Sequence, residues 1–161
     1  IPPGHALAHR AFEQGITIAE KIAGADPKPV LDDTVPQVVF SFPEAASVGL
    51  TLDQAKARED VVEPKETAYP MLSNARMLMS GEGGSMTVVS GAFANNPDMQ
   101  VVLGVHIVSP IASDLIAEAE QLVGNRVPLA DAARLIHPHP TFSETLGEAL
   151  LKADGRPLHT R

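Results

Sequence analysis

The chain has no cysteine and no tryptophan, and aromatic residues make up only 4% of its 161 positions. Without cysteine there is no disulfide framework, no thiolate metal site and no cysteine nucleophile within the chain. Basic residues are also scarce. Twelve Lys+Arg against twenty Asp+Glu give a net charge of −8, with no basic run. That balance argues against nucleic acid and anionic membranes as partners. No apolar run reaches the ~18 residues of a membrane span. The start, Ile1-Pro2-Pro3-Gly4, has neither the basic head nor the apolar stretch of a signal peptide. These absences lead to the expectation of a cytoplasmic protein. With no initiator Met, the N-terminus reads as a cut inside a longer chain.

What is present fits a folded domain. Hydrophobic residues make up 44% and charged residues 20%, and one domain is the default at ~100–200 residues per domain. Residues 5–23 read as a helix, with Leu7, Ala11, Ile18 and Ile22 on one face. Gly24 is a plausible stop, and the proline- and aspartate-rich stretch 25–36 reads as a linker. Val38-Val39-Phe40 is a short strand candidate. Thr51-Leu52-Asp53-Gln54 is a capping box opening a helix over 52–59. Residues 61–69 could form a strand, demoted by Pro64 to an edge or split. Segments 85–93 and 100–108 are the best strands, joined as a hairpin through Ala94-Asn95-Asn96-Pro97-Asp98.

After Pro110 the period becomes helical. Ile111, Leu115, Ala119 and Leu122 form one stripe, widened by Ile116 and Val123. A short helix over 129–135 and a final helix over 142–153 complete the chain. Hairpin-joined strands, with helices mostly gathered after them, predict an α+β fold: an antiparallel sheet with helices packed on it.

The chemically rich stretch is His137-Pro138-His139-Pro140-Thr141-Phe142-Ser143-Glu144. Both histidines precede proline, so both are pushed towards extended backbone. Three readings stand side by side. Thr141 and Glu144 match a capping box. His137, His139 and Glu144, with His159, could ligate a metal. Or Glu144 holds one nitrogen of His139 and leaves the other as a base. The cap and the pair are compatible, because a carboxylate has two oxygens. His106 alternates with apolar residues in a strand and reads as structural; His5 and His159, near the termini, read as solvated. Gly81-Glu82-Gly83-Gly84 lacks the strand–loop–helix setting of a phosphate loop.

The run H-P-H-P-T-F-S-E-T-L-G-E-A resembles the C-terminal signature of dihydrolipoamide dehydrogenases, within the pyridine nucleotide-disulfide oxidoreductases. Four further segments resemble that family, in its order: Leu7-Ala8-His9-Arg10-Ala11, 43–51, 103–108 with 116–119, and Gly155-Arg156-Pro157-Leu158-His159. The extra His137 favours the lipoamide branch over glutathione-reductase-like members.

The resemblance implies the following expectations. Residues 1–34 would be the last helix of an FAD-binding region with its linker, and 35–161 an interface (dimerisation) domain. The intact enzyme would pass electrons from dihydrolipoamide through a disulfide and FAD to NAD⁺. His139 would be the base and Glu144 its orienting partner, acting across a homodimer, with His137 supporting His139 or simply packing. Ala6, Leu7, Ala8 and His9 would lie against the FAD ring. No metal is expected. The bond His139-Pro140 would be cis. The partner implied is the lipoyl-bearing subunit of a 2-oxoacid dehydrogenase complex. The helix over 111–123, with Ala112, Ala117 and Ala119, would make a close subunit contact. The alternatives are a non-catalytic dimerisation or scaffold module and a His/Glu metal hydrolase.

Overall fold

The computed structural model describes residues 4–160. The chain forms two compact units that divide between Val35 and Pro36.

The first unit carries helix α1 (Ala8–Ile22) and a single 3₁₀ turn, Asp32–Thr34. The helix begins three residues later than periodicity suggests, because Leu7 is extended at the N-cap position. Its buried residue is Arg10, whose guanidinium pairs with Asp32 at 2.8 Å. The predicted apolar face is not covered: Ile18 is exposed and Ile22 is 84% exposed. Periodicity identifies a stripe that prefers to leave water, but it does not say what covers the stripe.

The second unit is an antiparallel five-stranded sheet in the order β1-β2-β5-β4-β3. The strands are β1 (Gln37–Val39), β2 (Glu44–Gly49), β3 (Val61–Pro70), β4 (Ser85–Phe93) and β5 (Asn96–Ser109). The expected α+β class is therefore present. Strand β2 had no counterpart in the sequence reading, since Ala45-Ala46-Ser47 has little intrinsic strand preference. It is made a strand by its neighbours, pairing Ala46 with Val38 on one side and with Ile107 on the other. Strand β3 lies at the sheet edge, and its register breaks between Val62 and Lys65, around Pro64. The β4–β5 hairpin is tighter than expected: Phe93 already faces Asn96.

Helix α2 (Leu52–Ala57) opens with the anticipated capping box: the Thr51 hydroxyl accepts from the Gln54 N–H and the Gln54 side chain accepts from the Thr51 N–H. Helix α3 (Ala75–Ser80) was not foreseen. Asn74 caps it by accepting from the Met77 N–H, and Gly81 ends it in the left-handed region. The remaining helices are α4 (Ala112–Gly124), α5 (Leu129–Ala132) and α6 (Glu144–Ala153). No side chain of its own caps α4 at Ile111; the Glu44 carboxylate, from β2, accepts from the Ser113 N–H at 2.8 Å.

Helix α4 packs on β2 and β5, and α6 on β3 and β4. The core joins Val48, Met86, Val88, Val105 and Ile107 of the sheet to Leu115, Ile116, Leu122, Leu146 and Leu150 of the helices. Each such side chain contributes about 1.5–3 kcal/mol when fully buried. Ala112 and Ala119 are buried in this same core. Their small size lets α4 approach its own sheet, which corrects the assignment of the alanines to a subunit contact; only Ala117 remains exposed. Among the described residues no helix is long and apolar enough to cross a membrane.

The β2–β5 seam ends in a close approach. Gly49 has φ +81°, and a Cβ there would lie 2.2 Å from the Leu103 carbonyl oxygen. That carbonyl also accepts from the Leu50 N–H at 2.9 Å. Gly49→Ala should therefore lower the unfolding free energy by at least about 1–3 kcal/mol, read from urea melts.

Candidate functional site

The segment 137–143 leads into α6 along the helical side of the second unit. It is fixed at several points. The Thr141 hydroxyl donates to the Pro138 carbonyl at 2.7 Å, and the Thr141 carbonyl accepts from the Asn74 amide at 3.1 Å. The Arg76 guanidinium lies 5.5 Å from the Phe142 ring centroid. The His139-Pro140 bond is cis. Helix α6 starts at Glu144 and not at Phe142, because residues 141–143 are committed to these contacts.

Glu144 divides its carboxylate. Oε2 accepts from the Thr141 N–H at 2.7 Å, and Oε1 bonds His139 Nδ1 at 2.9 Å. The capping box is thus only half formed: the Glu reaches back, while the Thr141 hydroxyl is engaged elsewhere. A carboxylate acceptor places a proton on Nδ1, so in the neutral ring Nε2 keeps its lone pair. No partner for Nε2 is found among the described residues. The His139 side chain is 69% exposed against 19% for Glu144, so an anchored carboxylate holds an open imidazole. Ile136, three residues before His139 in the chain, is 97% exposed.

His137 turns the other way. Its Nε2 lies 2.8 Å from Glu118 Oε1 on α4, and its side chain is only 10% exposed. The ring rests against α6, where a Cβ on Gly147 would come within 2.6 Å of Nδ1. The Glu118 hydrogen bond raises the His137 pKa above the usual imidazole range; burial opposes this, and the Leu135 carbonyl and Glu144 add to it. His159, expected to be solvated, pairs instead with buried Glu148 at 2.8 Å, although 61% of its side chain stays exposed. His106 is structural as expected, donating through Nε2 to the Leu50 carbonyl at 3.2 Å.

The proposed metal ligands His137, His139 and His159 thus sit on three separate carboxylates. Among the described residues no group of three or more potential ligands converges. Buried Tyr69 is pushed up to about 12, by burial first and then by the charges of Glu148 and Glu144, so its phenol stays neutral near pH 7. In the first unit, Ala6, Leu7 and Ala8 line a shallow cavity with Gly4, His5 and Arg10 at the start of α1, while His9 lies in the first turn of that helix. Asn74, Arg76, Glu118 and Gly147 were missed by sequence reasoning. Asn74 alone carried a local signal, as a helix-capping residue type.

Burial works to raise the Glu144 carboxyl, but the Thr141 N–H, the His139 ring and the charges of His139 and His137 outweigh it and hold the carboxyl below its usual range. A lowered folded value contributes stability above the unfolded value near ~4.3, and that stability is lost as pH falls through the folded value. Glu144→Gln should therefore flatten the acid limb of a pH–stability curve, measured by urea melts from pH 6 downwards.

The family model for the pyridine nucleotide-disulphide oxidoreductase dimerisation domain matches residues 35–150. The chain is similar to dihydrolipoyl dehydrogenase from Bacillus subtilis, at 40% identity over 97% of this chain and 32% of that protein. It is equally similar to dihydrolipoyl dehydrogenase from Cupriavidus necator, at 40% identity over 97% of this chain and 31% of that one. Its fold resembles the crystal structure of LpdA from Mycobacterium tuberculosis, with TM-score 0.80 and 29% identity over 91% of this chain and 31% of LpdA. The chain spans about a third of the length of the curated relatives it matches. With most of its second unit matched, the chain belongs to the dimerisation-domain family of the pyridine nucleotide-disulphide oxidoreductases.

Proposed function

We propose that this chain is the dimerisation part of a dihydrolipoyl dehydrogenase that supplies the acid–base pair for dithiol–disulfide exchange. The observation that carries this reading is the His139–Glu144 pair, a ring fixed through Nδ1 whose Nε2 has no partner among the described residues. A base that is built but faces outward fits a reaction completed by a second subunit, and Ile136, three residues earlier in the chain and 97% exposed, fits the same docking. The homodimer and the lipoyl-bearing subunit of a 2-oxoacid dehydrogenase complex are the partners of this reading, and the cytoplasm its setting.

His139 Nε2 takes the proton of one dihydrolipoamide thiol. The thiolate so formed attacks a disulfide on the partner subunit; one S–S bond forms as the other breaks. His139 then returns its proton to the departing sulfur and takes that of the second thiol; this thiolate attacks the mixed disulfide, whose S–S bond breaks as the lipoamide ring closes, and the proton passes to the second departing sulfur. The disulfide becomes a dithiol as the substrate becomes a disulfide, so the electrons balance. Glu144 keeps the ring oriented through Nδ1. FAD, when bound, would supply the acceptor through which the electron pair reaches NAD⁺.

Residues Ala6, Leu7, Ala8 and His9 fit such a group at the α1 N-terminus. The extended Leu7 leaves that helix end without a capping side chain, and the dipole favours an electron-rich ring edge there. Residues 1–34 are then the FAD-side helix and linker, and 35–161 the interface domain.

In full-length protein, His139→Gln should lower lipoamide turnover by about 10²–10⁴-fold, the range of a lost general base, with FAD content per subunit unchanged. Turnover near the wild-type rate would overturn the assignment and leave a dimerisation module.

A further inference from the structure

We infer that Glu118 is a positioning residue: by tethering His137 to helix α4 it sets the place of the segment that presents His139. The inference rests on the reading of His139 as the base.

The hydrogen bond found for His139 among the described residues is to Glu144, which belongs to the same short stretch of chain. That pair fixes the ring relative to its own loop, not the loop relative to the domain. The loop is tied down from outside at both ends. At the C-terminal end, Asn74 holds the Thr141 carbonyl from the start of α3. At the N-terminal end, two residues before the base, Glu118 holds His137 Nε2 from the middle of α4 at 2.8 Å. Between the ties lie Pro138, Pro140 and the Thr141–Pro138 hydrogen bond, so little slack remains for His139 to move independently.

The seat of His137 is built on its other side as well. Gly147 occupies a helix interior, where glycine is a poor choice. A methyl group there would meet the ring at 2.6 Å from Nδ1 and 2.9 Å from Cε1. The ring is therefore wedged between a carboxylate of α4 and bare backbone of α6. The two histidines divide the work: His137 is nearly buried and anchored, and His139 is exposed and free at one nitrogen.

Displacement of a reacting group by ~1 Å can cost ~10²-fold in rate, so losing the tether should appear in turnover without loss of binding. In the full-length holoenzyme, Glu118→Ala and Gly147→Ala remove the seat from opposite sides. Each should lower kcat roughly tenfold or more, with the KM for dihydrolipoamide within about twofold and FAD content and dimer unchanged. The double variant should be no worse than the poorer single, since both act through His137. Glu118→Gln keeps an acceptor for Nε2–H and should restore kcat to within about threefold of wild type, while the His137 titration midpoint falls in NMR because the charge is gone. Where Glu118→Ala does not fold, Gly147→Ala decides.

The inference is overturned if Gly147→Ala keeps kcat within about twofold of wild type while His139→Gln is disabled. It is also overturned if kcat falls only together with FAD or the dimer, or if Glu118→Gln is as poor as Glu118→Ala. Normal turnover of His139→Gln would instead remove the underlying reading, whatever the Glu118 variants do.

Discussion

Glu144 is shared between the backbone and the imidazole. One oxygen holds the Thr141 N–H at the entrance of α6, and the other holds His139 Nδ1. The same carboxylate therefore starts a helix and aims a base. A substitution at this position touches both, because the hydrogen bond that orders the loop is made by the group that orients the ring. The α6 face opposite the loop is packed on β3 and β4 through Leu146 and Leu150, and this fixes the starting point of the helix in the domain. The sheet thus supports the helix, the helix carries the carboxylate, and the carboxylate carries the histidine.

Three histidines in the last quarter of the chain pair with three glutamates, but the pairs differ in kind. His137 is nearly buried and bonded to a half-open Glu118; His159 is mostly open and bonded to a buried Glu148; His139 is open and bonded to a largely shielded Glu144. Burial separates their roles. A ring with both faces occupied can brace a loop. A ring with one nitrogen secured and the other in water can exchange a proton.

The sequence revealed most where partners are neighbours along the chain. His139 and Glu144 lie five residues apart, Thr51 and Gln54 three, and both interactions follow from short-range geometry. The α4 stripe was readable because its period matches one face of a helix, and that face is buried. What escaped notice is held together over distance. Strand β2 has weak local preference and exists through pairing with β1 and β5. Asn74 reaches Thr141 across 67 positions, and Gly147 makes sense only once the His137 ring is known to lie against it. Size alone misled in one place: alanines at 112 and 119 fit close packing, but with the chain's own sheet.

The strand order also shapes how the domain is assembled. Three of the four strand pairings join neighbours in sequence, β1 with β2, β3 with β4 and β4 with β5. Only the β2–β5 seam joins distant parts, bringing Gly49 beside Gly104. Loop closure makes such a pairing entropically the most expensive, so the β3–β4–β5 meander can form from local contacts while the seam waits for the longer search. The close approach of Gly49 to the Leu103 carbonyl is thus a latch at the last-closing edge of the sheet, and the Glu44 cap on α4, at the other end of β2, is set in the same closing step.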